Sequence, residues 1–524
     1  MASASPASGA DRSPFDVGKL QGRINDVLDL EPAVWGVLVY STGLGRDIAS
    51  VNPDTALCPA SNVKLFTALA SLVVSHVGEN HRFRTHAHVI DVPREDKAME
   101  DKETPNRRAI CIHPCGDPSF TTSDLERLLT KALEASNVSA DDVDASRTQL
   151  GGTPWREEGV PGTWEVGDLG HDWAAPPSRA VLDGNLTSLM GVLRNPDEKF
   201  SQSPRVRFRD ACRAVIRDKQ TRDASPSLHH GAEVIEMSCG CIPPPGGRFS
   251  NIRSGIHGLE IESGEVEKQR NPNKWAVHDS QPVCHFVQKT VRDSENLTSE
   301  QLLRTCASGK DSGRWLTGWS SVFCRDKCVV TGGTSRGVDS DLEIKTSAAP
   351  KRVRFVDGSG LSRHNVAPPR AFVAMVLSAV EGAALEAEEA GSDVTNTGPF
   401  ALGEKRKPFT TFLESLPEIE GRLLSADDDA SMDEQSTEKK QKLAGTLDNR
   451  LNDLHGSIRA KTGSMSGVES LSGYFSKHAT KELGTIAFSI IGNNHASNVA
   501  DARFRLHDVV DSIVRLIDRL VVED

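Results

Sequence analysis

The two ends of this 524-residue chain carry matching strand patterns, and strands from both can share one sheet, with the rest of the chain budding out between them. Near the start, Val34-Trp35-Gly36-Val37-Leu38-Val39-Tyr40 reads as a buried strand, Ser41 to Gly45 as a turn, and Arg46 to Val51 as the return strand. Near the end, Ile458 to Gly463, Leu471 to Ser476 and Leu483 to Ile491 read as three more, the last two joined by a polar turn. Val17, Leu20, Ile24, Val27 and Leu28 recur at helical spacing before the first strand, and Val509, Ile513, Leu516, Ile517 and Leu520 after the last. Terminal helices thus flank a sheet that the chain ends can share, with the interior as inserts.

The interior divides by composition. Residues 1–15 are small and polar and are expected to form a disordered tail. Residues 16–81 and 286–524 make one discontinuous domain, and 82–285, rich in Gly, Pro, charge and short strand-like runs, one or two inserted domains. A helical pattern returns over 281–305, and another helix is expected from Pro369 to about Glu388. The acidic stretches near 387–397 and 424–445 lack aromatics and are expected as mobile loops. Residues 307–350 are Gly-, Ser- and charge-rich and give no clear element.

The net charge of −12 argues against nucleic acid or an anionic membrane as the main partner. No apolar run is long enough for a transmembrane helix. The N-terminus shows no secretory signal, which leaves processing, plastid targeting and an intracellular location open.

Three short motifs stand in a fixed order: Ser61-Asn62-Val63-Lys64, Ser294-Glu295-Asn296 and Lys461-Thr462-Gly463. Each alone is weak; Ser436-Thr437-Glu438-Lys439 repeats the first spelling inside an acidic run unsuited to a site. Serine is a poor nucleophile without a base, and one helical turn places Lys64 beside Ser61. Burial and a second cation, with Lys461 as the candidate, lower a lysine pKa toward neutrality. Ser294 is placed to relay a proton and Asn296 to orient Lys64. The alternative for this motif is a simple helix cap by Ser294. On the strand that closes with the third motif, Lys461 and Thr462 offer a cation and a hydroxyl to a carboxylate. Gly463 leaves room for a ligand against the backbone, and the Ser464 N–H can complete an oxyanion hole with N–H groups near Ser61.

Other chemistries are weaker. His86 and His88 share a strand face near His81, but neither carboxylate nor cysteine at ligand spacing supports a metal there, so surface histidines are expected and no metal ligand is assigned. A Ser-His-Asp hydrolase would need a nucleophile elbow that the chain lacks. The ten cysteines form no C-x-x-C pair; Cys111/Cys115 and Cys324/Cys328 are C-x3-C, Cys239/Cys241 is C-x-C, and free thiols are expected.

The three motifs in this order resemble those of serine enzymes that acylate on a D-Ala-D-Ala terminus or a β-lactam. The chain resembles the D-Ala-D-Ala carboxypeptidase/endopeptidase family, the class C low-molecular-mass penicillin-binding proteins. The likeness runs from Pro59 to Leu69, through Ser294 to Arg304, and across Asp357-Gly358-Ser359-Gly360-Leu361-Ser362-Arg363 with Asn365; Gly116 to Phe120 and Trp164 to Asn185 resemble landmarks of the family's inserts. It implies an α/β (α+β), β-lactamase/transpeptidase-like fold: an antiparallel sheet flanked by helices, a helical subdomain and inserted β-rich domains. It also implies Ser61 as acylated nucleophile, Lys64 as base, a site completed by Ser294, Asn296 and Lys461, and no metal or organic cofactor. The substrates implied are peptidoglycan-type stem peptides or other D-Ala-terminated peptides, with β-lactams as covalent inhibitors. A β-lactamase or esterase on the same scaffold, and a non-catalytic binding protein, stand as alternatives.

Overall fold

The computed structural model of the chain describes residues 17–92, 107–143, 149–151, 161–165, 168, 172–188, 213–217, 234–238, 248–250, 275–324, 353–391, 407–420, 445–447, 450–478, 481–495 and 499–522. The strands in chain order are β1 Val34–Ser41, β2 Arg46–Val51, β3 Arg82–Val92, β4 Arg107–His113, β5 Gln149–Leu150, β6 Leu186–Ser188, β7 Arg213–Arg217, β8 Val234–Ser238, β9 Arg248–Ser250, β10 Ala276–Pro282, β11 Glu418–Ile419, β12 Ser457–Met465, β13 Val468–Lys477 and β14 Ile486–Asn493. The helices are α1 Val17–Leu28, α2 Val63–Val73, α3 Thr122–Ser136, α4 Val283–Arg292, α5 Asn296–Ala307, α6 Ser312–Ser320, α7 Pro369–Gly391, α8 Pro408–Ser415 and α9 Val499–Val522.

The chain ends do share one sheet. Its order is β11-β12-β13-β14-β1-β2, and every neighbouring pair is antiparallel. Val37 faces Ile490 across the β1–β14 seam, joining the two ends of the chain. β14 is buried along its whole length, as expected of a central strand covered on both faces.

Alternation along the strands sorts side chains into two cores. Val37, Val39, Leu471, Phe488 and Ile490 face Leu20, Ile24 and Leu28 of α1 and Val509, Ile513 and Ile517 of α9. Leu38, Tyr474, Ala487 and Ile491 face the other way, toward Phe66 and Leu69 of α2, Phe372 and Val376 of α7 and Phe412 of α8. Residues from Val63 to Leu72 of α2 are all buried, so this helix is the axis of the second core. Each large apolar side chain that it buries contributes about 1.5–3 kcal/mol.

A separate sheet, ordered β10-β3-β4-β5, packs Ala87, Ile110 and Ile112 against Leu125, Leu128 and Leu129 of α3. Helix α3 starts on a reciprocal capping box between Thr121 and Asp124. Two further ribbons pair β6 with β9 and β7 with β8.

Several elements differ from the sequence reading. The pattern over 281–305 is two helices, α4 and α5, broken at Ser294, whose φ is +58°. Helix α7 continues to Gly391. Residues 312–324 form α6 and a 3-10 turn, Ser321–Cys324. The expected tail 1–15 and the acidic stretch 424–444 lie outside the described residues, as do Ser436–Lys439, Cys239, Cys241 and Cys328. Cys58, Cys111, Cys115, Cys284 and Cys306 are free thiols. Among the described residues no helix is long and apolar enough to cross a membrane.

Candidate active site

Ser61 lies in a 3-10 turn, Ala60–Asn62, that feeds directly into α2. The turn is kinked: Ala60 has φ +47°, a left-handed conformation that costs a non-glycine residue about 1–3 kcal/mol. Strands β12 and β13 together hold it. The Ser470 hydroxyl donates to the Pro59 carbonyl at 2.7 Å, and the Asn62 amide to the Ser472 hydroxyl at 3.0 Å. Gly463 sits beneath this contact: a Cβ there would fall 2.6 Å from the Pro59 oxygen and 2.9 Å from the Ser61 nitrogen. The third motif's glycine is therefore what lets β12 touch the backbone of the first. Ser61 itself stays partly exposed.

Lys64, one turn along, is fully buried. Its Nζ lies 2.9 Å from Ser61 Oγ, 2.5 Å from Asn296 Oδ1 and 2.6 Å from the Ser359 carbonyl. Burial lowers its pKa to about 7, against the opposing pull of the Asp357 and Glu300 carboxylates.

Ser294 and Asn296 arrive from the α4–α5 link. Ser294 does not cap α5, whose N-cap position is Glu295. The left-handed backbone at Ser294 instead directs its hydroxyl to Lys461 Nζ, 3.0 Å away. Asn296 opens α5, and its amide nitrogen donates to the Trp173 carbonyl at 2.8 Å, which fixes its oxygen toward Lys64.

Lys461 is also fully buried and donates to the Thr462 carbonyl at 2.8 Å. Burial drives its pKa down, and the Lys64 charge adds to the drop while Glu469 opposes it. The second cation anticipated from sequence thus feels Lys64, while burial is the first cause of the fall at Lys64 itself. The Thr462 hydroxyl donates to Thr446 Oγ1 at 2.7 Å, and Ser464 is partly exposed farther along β12. The three motifs therefore meet in one place.

A second tier of residues was not named as part of the site by sequence reading. The loop from Asp357 to Asn365 wraps the buried end of Lys64. Glu300 Oε1 accepts the Gly358 and Ser359 N–H groups at 2.9 and 2.8 Å, and Glu300 Oε2 pairs with Arg304 at 2.6 Å. Asp357 accepts from Gly360 N–H at 2.8 Å, Asn365 Nδ2 at 2.8 Å, Ser362 N–H at 2.7 Å and Trp164 Nε1 at 3.1 Å. Burial, with the Glu300 charge adding to it, pushes its pKa up to about 6, opposed by the Ser362, Asn365 and Gly360 donors. Gly360 has φ +81°, and a Cβ on it would sit 1.9 Å from the Ala60 oxygen. The Asp357–Arg363 block was the available signal, and its role as a clamp on Lys64 follows only from the contacts.

The histidines need a correction. His88 is buried, not on the surface, and Cys111 and His113 of the neighbouring strand lie beside it. His81 stands apart, its ring edge-on to Phe83.

Comparison with known proteins bears on the family and the fold. The profile of the D-Ala-D-Ala carboxypeptidase 3 (S13) family matches residues 17–227, 257–390 and 404–514. A D-alanyl-D-alanine carboxypeptidase of Actinomadura sp. (strain R39) is 25% identical, over 94% of this chain and 84% of that one. A penicillin-sensitive carboxypeptidase A of Dictyostelium discoideum is 23% identical, over 93% of this chain and 88% of its own. The crystal structure of penicillin binding protein 4 from Haemophilus influenzae superposes with a TM-score of 0.59 at 16% identity, covering 94% of this chain and 99% of that chain, and so shares the α+β fold. With its profile matched along most of its length, the chain belongs to the D-Ala-D-Ala carboxypeptidase 3 (S13) family of serine peptidases.

Proposed function

We propose that this serine-type D-Ala-D-Ala carboxypeptidase works through an acyl-enzyme on Ser61, with Lys64 as its base. The supporting observation is the 2.9 Å approach of Lys64 Nζ to Ser61 Oγ, by an amine whose pKa burial brings to about 7. Near neutral pH a substantial fraction of such an amine is free to take the hydroxyl proton. Ser61 Oγ then attacks the carbonyl carbon of the penultimate D-alanine, and the carbonyl oxygen takes up the negative charge. N–H groups at Ser61 and Ser464 are assigned to that oxyanion. As the C–N bond breaks, Ser294 relays the proton held by Lys64 to the departing amine, which returns Lys64 to its free form, and D-alanine leaves. Water cleaves the ester and restores the serine.

Lys461 and Thr462 are assigned to the terminal carboxylate, a pairing of cation and hydroxyl donor with an anion. Gly463, expected from sequence to make room for a ligand, instead lets β12 close on the Pro59–Ser61 backbone and so positions the nucleophile beside the strand. Asn296 orients Lys64. Residues 16–81 and 286–524 are read as the domain that carries this chemistry, and 82–285 as its inserts. Peptidoglycan-type stem peptides ending in D-Ala-D-Ala are the proposed substrates, and β-lactams, whose strained amide mimics that terminus, the proposed covalent inhibitors. A β-lactam complex of the Haemophilus influenzae protein is in keeping with this.

The test is release of D-alanine from a synthetic pentapeptide ending in D-Ala-D-Ala, against a copy ending in D-Ala-L-Ala. Release from the first only, abolished in Ser61→Ala, is expected. Equal cleavage of both, or full activity in Ser61→Ala, would contradict the assignment. Rapid hydrolysis of penicillin with no peptide cleavage would favour a β-lactamase instead.

A further inference from the structure

The second sheet carries a cluster that the peptidase chemistry does not use. In the β3–β4 register His88 is the direct cross-strand partner of Cys111, and His86 of His113. Alternation puts all four on one face, opposite the face that packs on α3. The ligand atoms of His88, Cys111 and His113 all lie within 4.8 Å of one another, and Cys111 Sγ is 3.4 Å from His113 Nε2. We propose that His88, Cys111 and His113 form a binding site for a zinc-type divalent cation, independent of the Ser61 site.

Three independent features support it. His88 is only 4% exposed, and its Nδ1 has no hydrogen-bond partner. A buried polar nitrogen without a partner costs free energy that a metal bond would recover. The surroundings are also shaped around the rings. Trp275 stacks on His88 with centroids 4.3 Å apart and lies tilted against His113 at 4.9 Å, which shields the cluster on that side. A Cβ at Gly151 would lie 2.2 Å from His113 Cε1, so the chain closes over this ring only because the residue is glycine. Finally, imidazole nitrogen and thiolate sulfur are both donors that zinc takes, and three protein ligands would leave its fourth position open.

Tetrahedral ligation would draw the three donor atoms to about 3.5 Å apart, so the rings must rotate from their stacked pose and close by roughly 1 Å. The Cys111 sulfur gives its proton to solvent as the metal–sulfur bond forms, releasing one proton per cation bound. Arg179 is the cation facing Cys111 and must be outweighed by the thiolate. The occupied site would tie β3 to β4 on the sheet face opposite α3.

The full chain, reduced and stripped by chelator, can be titrated with Co2+. One equivalent should give the ligand-field bands of a tetrahedral cobalt and a sulfur-to-cobalt charge-transfer band, both bleached by one equivalent of Zn2+. Cys111→Ser should remove the charge-transfer band, and His88→Gln should weaken cobalt binding at least tenfold. Circular dichroism checks that each variant is folded; if Cys111→Ser is not, His88→Gln and His113→Gln carry the test. A wild-type spectrum without these bands, or one unchanged by the substitutions, overturns the proposal. Because the readout is optical, its failure leaves the Ser61 chemistry untouched.

Discussion

The carbonyl of Ser359 accepts a hydrogen bond from Lys64 Nζ at 2.6 Å, while the N–H of the same residue donates to Glu300 at 2.8 Å. One peptide segment thus links a buried carboxylate to a buried amine. Glu300 sets the position of the loop, and the loop sets the position of the base. Glu300→Ala should therefore destabilise the fold by about 3–5 kcal/mol, because it removes the buried carboxylate that pairs with Arg304 and accepts two backbone N–H groups. A denaturant titration measures this. The more conservative Glu300→Gln keeps an acceptor but loses the charge that raises the Lys64 pKa, so its acylation profile should shift to lower pH.

The pH dependence follows from Lys64. With a pKa near 7, its free-amine fraction rises through neutrality, and the rate of Ser61 acylation should climb over the same range and level off above it. Stability carries a definite sign too. Unfolded, the lysine returns to about 10.5, so between about 7 and 10.5 the unfolded chain binds more protons than the native one. This group's contribution therefore rises with pH across that window and is least favourable below it. Stopped-flow acylation and unfolding midpoints over pH 6 to 10 check both, with Lys64→Met as the reference that loses the dependence.

Gly360→Ala should be disproportionately harmful for a single methyl group. The left-handed φ of +81° and the 1.9 Å clash with the Ala60 oxygen must push apart the loop and the Ser61 turn. Overpacking of this kind costs about 1–3 kcal/mol. The specific expectation is that acylation falls more than stability does, because the displaced group neighbours the nucleophile. A variant that loses stability alone would argue against a shared position for loop and turn.

Much of this was readable in advance, for physical reasons that can be named. The strands at the two chain ends have strong apolar patterns, and the sheet from β1 to β14 follows from them. The motif residues Ser61, Lys64, Ser294, Asn296 and Lys461 were readable because their spellings are short and local. What was hidden depends on contacts between distant segments. Glu300 looks like an ordinary residue in the second turn of α5, and Trp173 contributes a carbonyl, which no side-chain pattern announces. His88 and Cys111 become neighbours only through the β3–β4 register, which residue spacing does not encode. Ser294 fits a helix cap in sequence, and only its positive φ turns the hydroxyl toward Lys461.

Lys461→Ala removes the cation assigned to the substrate carboxylate and the partner of Ser294. A hydrogen bond to a charged group contributes about 1.5–3 kcal/mol, so kcat/KM for a D-Ala-D-Ala peptide should fall about 10- to 100-fold. An amidated peptide, lacking the carboxylate, should lose much less on the same substitution. Equal losses for both peptides would show that Lys461 serves the chemistry and not the carboxylate.

The most direct measurement is mass spectrometry of the folded protein after brief exposure to a fluorescent penicillin, with peptide mapping of the adduct. One equivalent on Ser61, absent in Ser61→Ala and slowed at least a hundredfold in Lys64→Ala, is the predicted result. An adduct on another residue, no adduct on folded protein, or undiminished labelling of Lys64→Ala would contradict Ser61 as the nucleophile with Lys64 as its base.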